Sequence, residues 1–131
     1  MVPDIATDAA AGRGGFDGNR IAVLVPCYNE AVAVAKVVRD FAAALPEATV
    51  FVYDNNSTDD TVAVARAAGA EVFRETRQGK GFVVRRMFAD VEADIYVLVD
   101  GDATYDAPSV RRMIARRLAD RCDMVVGTRV D

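Results

Sequence analysis

Two carboxylates, Asp100 and Asp102, flank Gly101 directly after the apolar run Val97-Leu98-Val99. An apolar run without polar alternation reads as a strand buried on both faces. Acids at the carboxyl end of such a strand sit where open α/β sheets bind their ligands. Two hard oxygen donors at this spacing suit Mg²⁺ or Mn²⁺ carrying a diphosphate, because Mg²⁺ takes one or two carboxylates together with substrate phosphates. Taken alone, D-x-D fits an Asp-Gly turn after a core strand equally well.

Two further polar clusters change that balance: Tyr28, Asn29 and Glu30, and Asp54, Asn55 and Asn56. Asp54 offers a carboxylate to a base edge or a ribose hydroxyl, and Tyr28 a flat apolar face to a base. Singly, Asn29 and Ser57 read as helix caps and Asp54 as a turn former. Lys80 lies between Gly79 and Gly81 like the end of a phosphate loop. The glycine that would precede it by five positions is Arg74, which disfavours a P-loop ATPase. Cys27 has no imidazole to activate it and reads as a small packed residue. Arg111, Arg112, Arg116 and Arg117 read as a solvated basic helix face, with a partner or lipid-headgroup surface as the lesser reading.

Composition removes whole classes of chemistry. The 131 residues suffice for one domain with a core of its own. Twenty acidic residues against 16 basic ones argue against nucleic acid as a partner. Histidine is absent, which excludes a Ser-His-Asp triad, a His-ligated zinc and an imidazole base. Cys27 and Cys122 match no C-x-x-C pattern and are expected as reduced thiols. No run approaches the ~18 apolar residues of a membrane span. A cytoplasmic location is expected, at the inner face of a membrane if the acceptor is a lipid.

The elements that must position these residues alternate short β-branched runs with helical patterns, as in a parallel α/β sheet. Residues 1–20, rich in Ala, Gly and Asp, read as a flexible leader, and 21–131 as the ligand-binding domain. Strands are expected at Ile21–Val25, Val50–Tyr53, Ala70–Phe73, Ile95–Val99 and Met124–Thr128. Asn29 is the expected N-cap of a helix carrying Val34, Val38, Phe41 and Leu45 and stopped by Pro46. Ser57 with Asp60 suggests a capping box for a short helix closed by Gly69. After the loop Arg77–Gly81 a third helix carries Val83, Val84, Met87 and Phe88, and a fourth opens at Asp106-Ala107-Pro108 with Val110, Met113 or Ile114, and Leu118 on its core face. In a right-handed doubly wound sheet the loops after strands one, two and four share one edge, and the three polar clusters converge there.

The segments Ile21–Glu30 (IAVLVPCYNE), Tyr53–Thr61 (YDNNSTDDT), Gly79-Lys80-Gly81, Leu98–Asp106 (LVDGDATYD) and Met124–Arg129 (MVVGTR) occur in the order found in family-2 glycosyltransferases. The chain resembles that family, especially polyprenyl- and dolichyl-phosphate hexose synthases and their bacterial relatives. The resemblance implies a Rossmann-like GT-A fold, mostly parallel with helices on both faces, that binds a UDP- or GDP-linked sugar. It places Pro26, Tyr28, Glu30 and Asp54 around the nucleoside, Lys80 nearby, Asp100 at the ribose and diphosphate, and Asp102 with Asp100 on Mg²⁺ or Mn²⁺. It also implies inverting transfer of a hexose to an acceptor, a polyprenyl phosphate or a saccharide. Asn55 and Asn56 stand where many relatives have Asp and Gly, and Thr104 where some lipid-phosphate mannosyltransferases place a metal-binding Gln. Base preference and a third protein ligand therefore stay open. The family's general base and acceptor site lie beyond the last strand, so the domain is expected to be truncated, to bind donor without transferring it, and to self-associate through an unpaired sheet edge. A sugar-nucleotidyltransferase and a non-catalytic nucleotide-sugar-binding module are the alternatives; the first would want a Gly-rich basic loop where Pro26–Glu30 stands.

Overall fold

A computed structural model describes residues 20–99, 107–119 and 124–126. The expected leader up to residue 19, Asp100, Asp102, Thr104 and Cys122 lie outside the described residues. Five parallel strands form one sheet: β1 (Ile21–Cys27), β2 (Thr49–Asp54), β3 (Glu71–Arg74), β4 (Ile95–Leu98) and β5 (Met124–Val126), in the order β3-β2-β1-β4-β5. Four helices connect them: α1 (Val34–Ala44), α2 (Thr61–Ala67), α3 (Lys80–Asp90) and α4 (Ala107–Ala119).

β1 is central and buried along its whole length, so its apolar run shows no alternation. It extends through Pro26 and Cys27, two residues past the expected end, because β2 on one side continues to Asp54 and pairs with both. Ile21, Val23, Val25 and Cys27 face one core with Val50, Val52, Ile95, Val97 and Val99. Ala22 and Leu24 face the other with Phe51 and Tyr53.

α1 presents Val34, Val37, Val38 and Phe41 to the first core at helical spacing. Its last turn closes with the Leu45 amide on the Phe41 carbonyl at 2.8 Å, one residue before Pro46. α2 ends as a Schellman turn, the Ala70 amide reaching Ala65 and the Gly69 amide reaching Arg66 (3.2 and 3.1 Å). Gly69 makes this possible with φ of 108°, a conformation a Cβ would oppose. α3 covers the second core with Val83 and Met87.

α4 seats Ala107, Val110 and Ile114 in the first core beside α1, with Met113 packed at its edge. It therefore lies on the α1 face while the chain moves from β4 out to β5, which gives this connection a hand opposite to that of the other three. Its position covers Ile95, Val97 and Val99, which α3 on the other face cannot reach. Arg111 is not merely solvated: it donates to Glu47 at 2.6 and 3.1 Å and to the Ala44 carbonyl, tying α4 to the end of α1.

Phe41 is 1% exposed in the middle of the larger core. Phe41→Ala is expected to destabilise the protein by about 3–5 kcal/mol, the usual cost of a buried aromatic cavity. Chemical denaturation measures it, and a loss under about 1 kcal/mol would show that the α1 face closes over the void.

Candidate functional site

The carboxyl edge of the sheet is built by three loops that hydrogen-bond to one another more than to themselves. The Asn55 amide donates to the Cys27 carbonyl at 2.9 Å, and the Glu75 amide to the Asp54 carbonyl at 2.9 Å, continuing the parallel ladders past the strands. Asn29, with φ of 52°, receives the Thr58 amide on Oδ1 at 2.8 Å, while its own amide donates to Ser57 Oγ at 2.8 Å. Neither residue caps a helix as expected. α1 begins four residues after Glu30 and carries no side-chain cap, and α2 has Asp60 at its N-cap position, also without one. The two capping side chains are consumed by each other's loops.

Glu30 and Ala31 are fixed the same way. The Glu30 amide donates to Thr61 Oγ1 at 2.9 Å and the Ala31 amide to Asp59 Oδ2 at 3.3 Å. Asp59 also takes the Thr61 hydroxyl and amide, and the hydroxyl bond foremost holds its carboxyl below the usual range.

Pro26 is buried one place before the end of β1, paired with Tyr53. Tyr28 follows it, half exposed at the edge. Asp54 closes β2 and is fully buried. Its Oδ2 accepts the Ser57 amide at 3.0 Å and lies 3.8 Å from Arg74 Nε. Its Oδ1 is buried with no hydrogen-bond partner among the described residues. A buried carboxylate oxygen left without a donor is costly, so this atom is a standing demand for a hydrogen-bond donor.

Lys80 does not sit in a free loop. It is the exposed first residue of α3, immediately after Gly79, whose φ of 132° turns the chain into the helix. Asn55 Oδ1 receives the Gly79 amide at 2.8 Å and so joins Lys80's turn to the end of β2. Pro26 and Asp54 thus stand at the ends of β1 and β2, Tyr28 and Glu30 in the loop after β1, and Lys80 at the start of α3.

Glu75 gave no sequence signal, yet it is 2% exposed. It accepts the Arg77 amide at 2.6 Å and the Arg77 guanidinium at 3.4 Å, with Arg86 at 3.8 Å. The Arg77 amide foremost holds its carboxyl below the ordinary range. Arg86 in turn donates to Asp90 at 2.9 Å, as does the buried Tyr53 hydroxyl at 2.9 Å. Burial and that bond push the Tyr53 phenol well above its ordinary pKa. Arg77 also stacks over Phe82, its guanidinium carbon 4.8 Å from the ring centre. Among the described residues no group of three acids or cysteines forms a metal site.

Residues 22–131 match the family model Glycosyl transferase family 2. The chain belongs to that family. As a family-2 glycosyltransferase it is 57% identical over 109 residues to protein RfbJ of Shigella flexneri, covering 83% of this chain and 84% of RfbJ. It is 37% identical over 110 residues to the glycosyltransferase AglJ of Haloferax volcanii, covering 83% of this chain and 36% of AglJ. Glucosyl-3-phosphoglycerate synthase of Mycobacterium tuberculosis, solved with Mn²⁺, uridine diphosphate and glucosyl-3-phosphoglycerate, superposes with a TM-score of 0.66 at 28% identity, covering 77% of this chain and 40% of that one. The sheet with its helices is the GT-A arrangement expected from the sequence. The chain thus spans well under half the length of AglJ and of the synthase.

Proposed function

We propose that this glycosyltransferase binds a UDP- or GDP-linked hexose at the carboxyl edge of its sheet and transfers the sugar, with inversion, to a polyprenyl phosphate or a saccharide. The buried Oδ1 of Asp54, without a partner among the described residues, carries this reading, because the edge provides an acceptor for a nucleoside N–H or hydroxyl. Pro26, Tyr28 and Glu30 line the nucleoside side of the same edge, and Lys80 lies toward the diphosphate. Asp100 and Asp102, which follow β4, are the donor set for Mg²⁺ or Mn²⁺: hard carboxylate oxygens with no imidazole or thiolate among them. Asp100 is also assigned to the ribose and diphosphate. When bound, a divalent ion offsets the charge of the departing nucleoside diphosphate. The complex of Mn²⁺ and uridine diphosphate with the mycobacterial synthase supports this use of the fold. The base that deprotonates the acceptor is assigned to no residue of this chain. No helix among the described residues is long and apolar enough to cross a membrane.

Calorimetric titration with UDP and GDP, in Mn²⁺ and again in EDTA, tests the reading. Binding is expected in metal and a large loss in chelator, since the chain carries a net charge of −4 and a divalent ion would offset the diphosphate's charge. Equal affinity in both conditions removes the metal from the site, and no binding in either removes the nucleotide.

A further inference from the structure

Asn55 is 4% exposed and its amide group is saturated. Nδ2 donates to the carbonyls of Glu75 and Arg77 at 2.9 and 2.8 Å. Oδ1 accepts from the Gly79 amide at 2.8 Å and from Gln78 Nε2 at 3.3 Å. Two donors and two acceptor positions are the whole capacity of an amide side chain, so nothing remains for a ligand. All four partners lie in one segment, 75–79, between β3 and α3. Asn56 reinforces the same contact, donating to the Thr76 carbonyl at 2.9 Å from a backbone with φ of 66°.

The chemistry of the clamp is specific to an amide. An aspartate at this position keeps the acceptor for Gly79 but has no donor for two carbonyls, and it adds a negative charge close to the buried Glu75. The segment is anchored at its start by the Glu75 amide on the Asp54 carbonyl and braced internally by the Arg77 amide on the Glu75 carboxylate. Its last residue, Gly79, sets the first turn of α3 and therefore the position of Lys80.

We infer that Asn55 is a positioning residue, whose amide clamps segment 75–79 and with it Lys80 at the carboxyl edge, and that it does not read the base. This rests on the nucleotide-sugar reading above. It divides the work within the Asp54-Asn55 pair: the first presents an acceptor oxygen that is unpartnered among the described residues, and the second holds segment 75–79.

The test is Asn55→Asp, measured two ways. Hydrogen exchange on the ligand-free variant is expected to show lost protection across 75–82, with the strands unchanged. Calorimetry in Mn²⁺ is expected to show UDP and GDP weakened by the same factor, about tenfold. Lys80→Ala is expected to weaken binding in the wild type but to add little on the Asn55→Asp background, because the clamp already misplaces that residue. Should Asn55→Asp fail to fold, Asn55→Ala removes the same donors without the charge and serves both measurements. Unchanged exchange in 75–82, or a change confined to one of the two nucleotides, overturns the clamp and makes Asn55 a base reader. A wild-type protein that binds neither nucleotide overturns the underlying reading, and this inference with it; a wild type that binds while the variant's segment stays protected overturns the inference alone.

Discussion

Asp102→Asn is expected to lower metal-dependent affinity for a nucleoside diphosphate by about a hundredfold or more, while leaving the ligand-free thermal midpoint where it was. Loss of a supporting residue outside the ligand set already costs about 10- to 100-fold in metal affinity, and a direct carboxylate ligand contributes at least that. The amide has the same shape but no charge, so it neither attracts the cation nor offsets it. The residue follows β4 in sequence, past the apolar run that ends at Val99. Titration with UDP in Mn²⁺ measures the loss, and thermal melting without ligand is the control. A midpoint that falls like that of a core variant would make Asp102 a structural turn residue and end its metal role.

Asp54→Asn is expected to weaken nucleoside binding by about 10- to 100-fold in metal and in chelator alike. A hydrogen bond to a charged acceptor contributes on the order of 1.5–3 kcal/mol, which converts to that range. The substitution is sharper than Asp54→Ala because the local geometry dictates which way the amide turns. The Ser57 amide, 3.0 Å from Oδ2, requires an oxygen there, so the new NH₂ must occupy the position of Oδ1, which has no partner among the described residues. The group facing the ligand then changes from acceptor to donor while the turn keeps its bond. Binding of uridine and guanosine diphosphates, measured beside the thermal midpoint, separates the two roles. Unchanged affinity would reduce Asp54 to the turn former that its position also permits.

The apolar run of β1 identified a strand buried on both faces by itself, since such a strand needs no polar alternation; the run before Asp100 also forms a parallel strand, with Tyr96 and Leu98 on one face only half-buried. The alternation of strands and helices, and the meeting of the loops after β1 and β2 at one edge, followed from the same patterning and from the ordered motifs. The partners of polar side chains did not follow. Asn29 and Ser57 have the chemistry of helix caps, and a local window sees only the helix downstream; in the fold each finds a loop 28 residues away in sequence. Glu75 and Arg111 have the composition of solvent-exposed residues, and only packing made one a buried acceptor for Arg77 and the other a tie to Glu47. The tertiary structure also decided that α4 lies on the α1 face, because β4 needed a cover that α3 could not supply. Residue types along a chain determine which surfaces must be buried and which groups must be paired. Which groups pair is decided where loops distant in sequence meet, and that meeting leaves Asn55 saturated and one oxygen of Asp54 without a partner among the described residues.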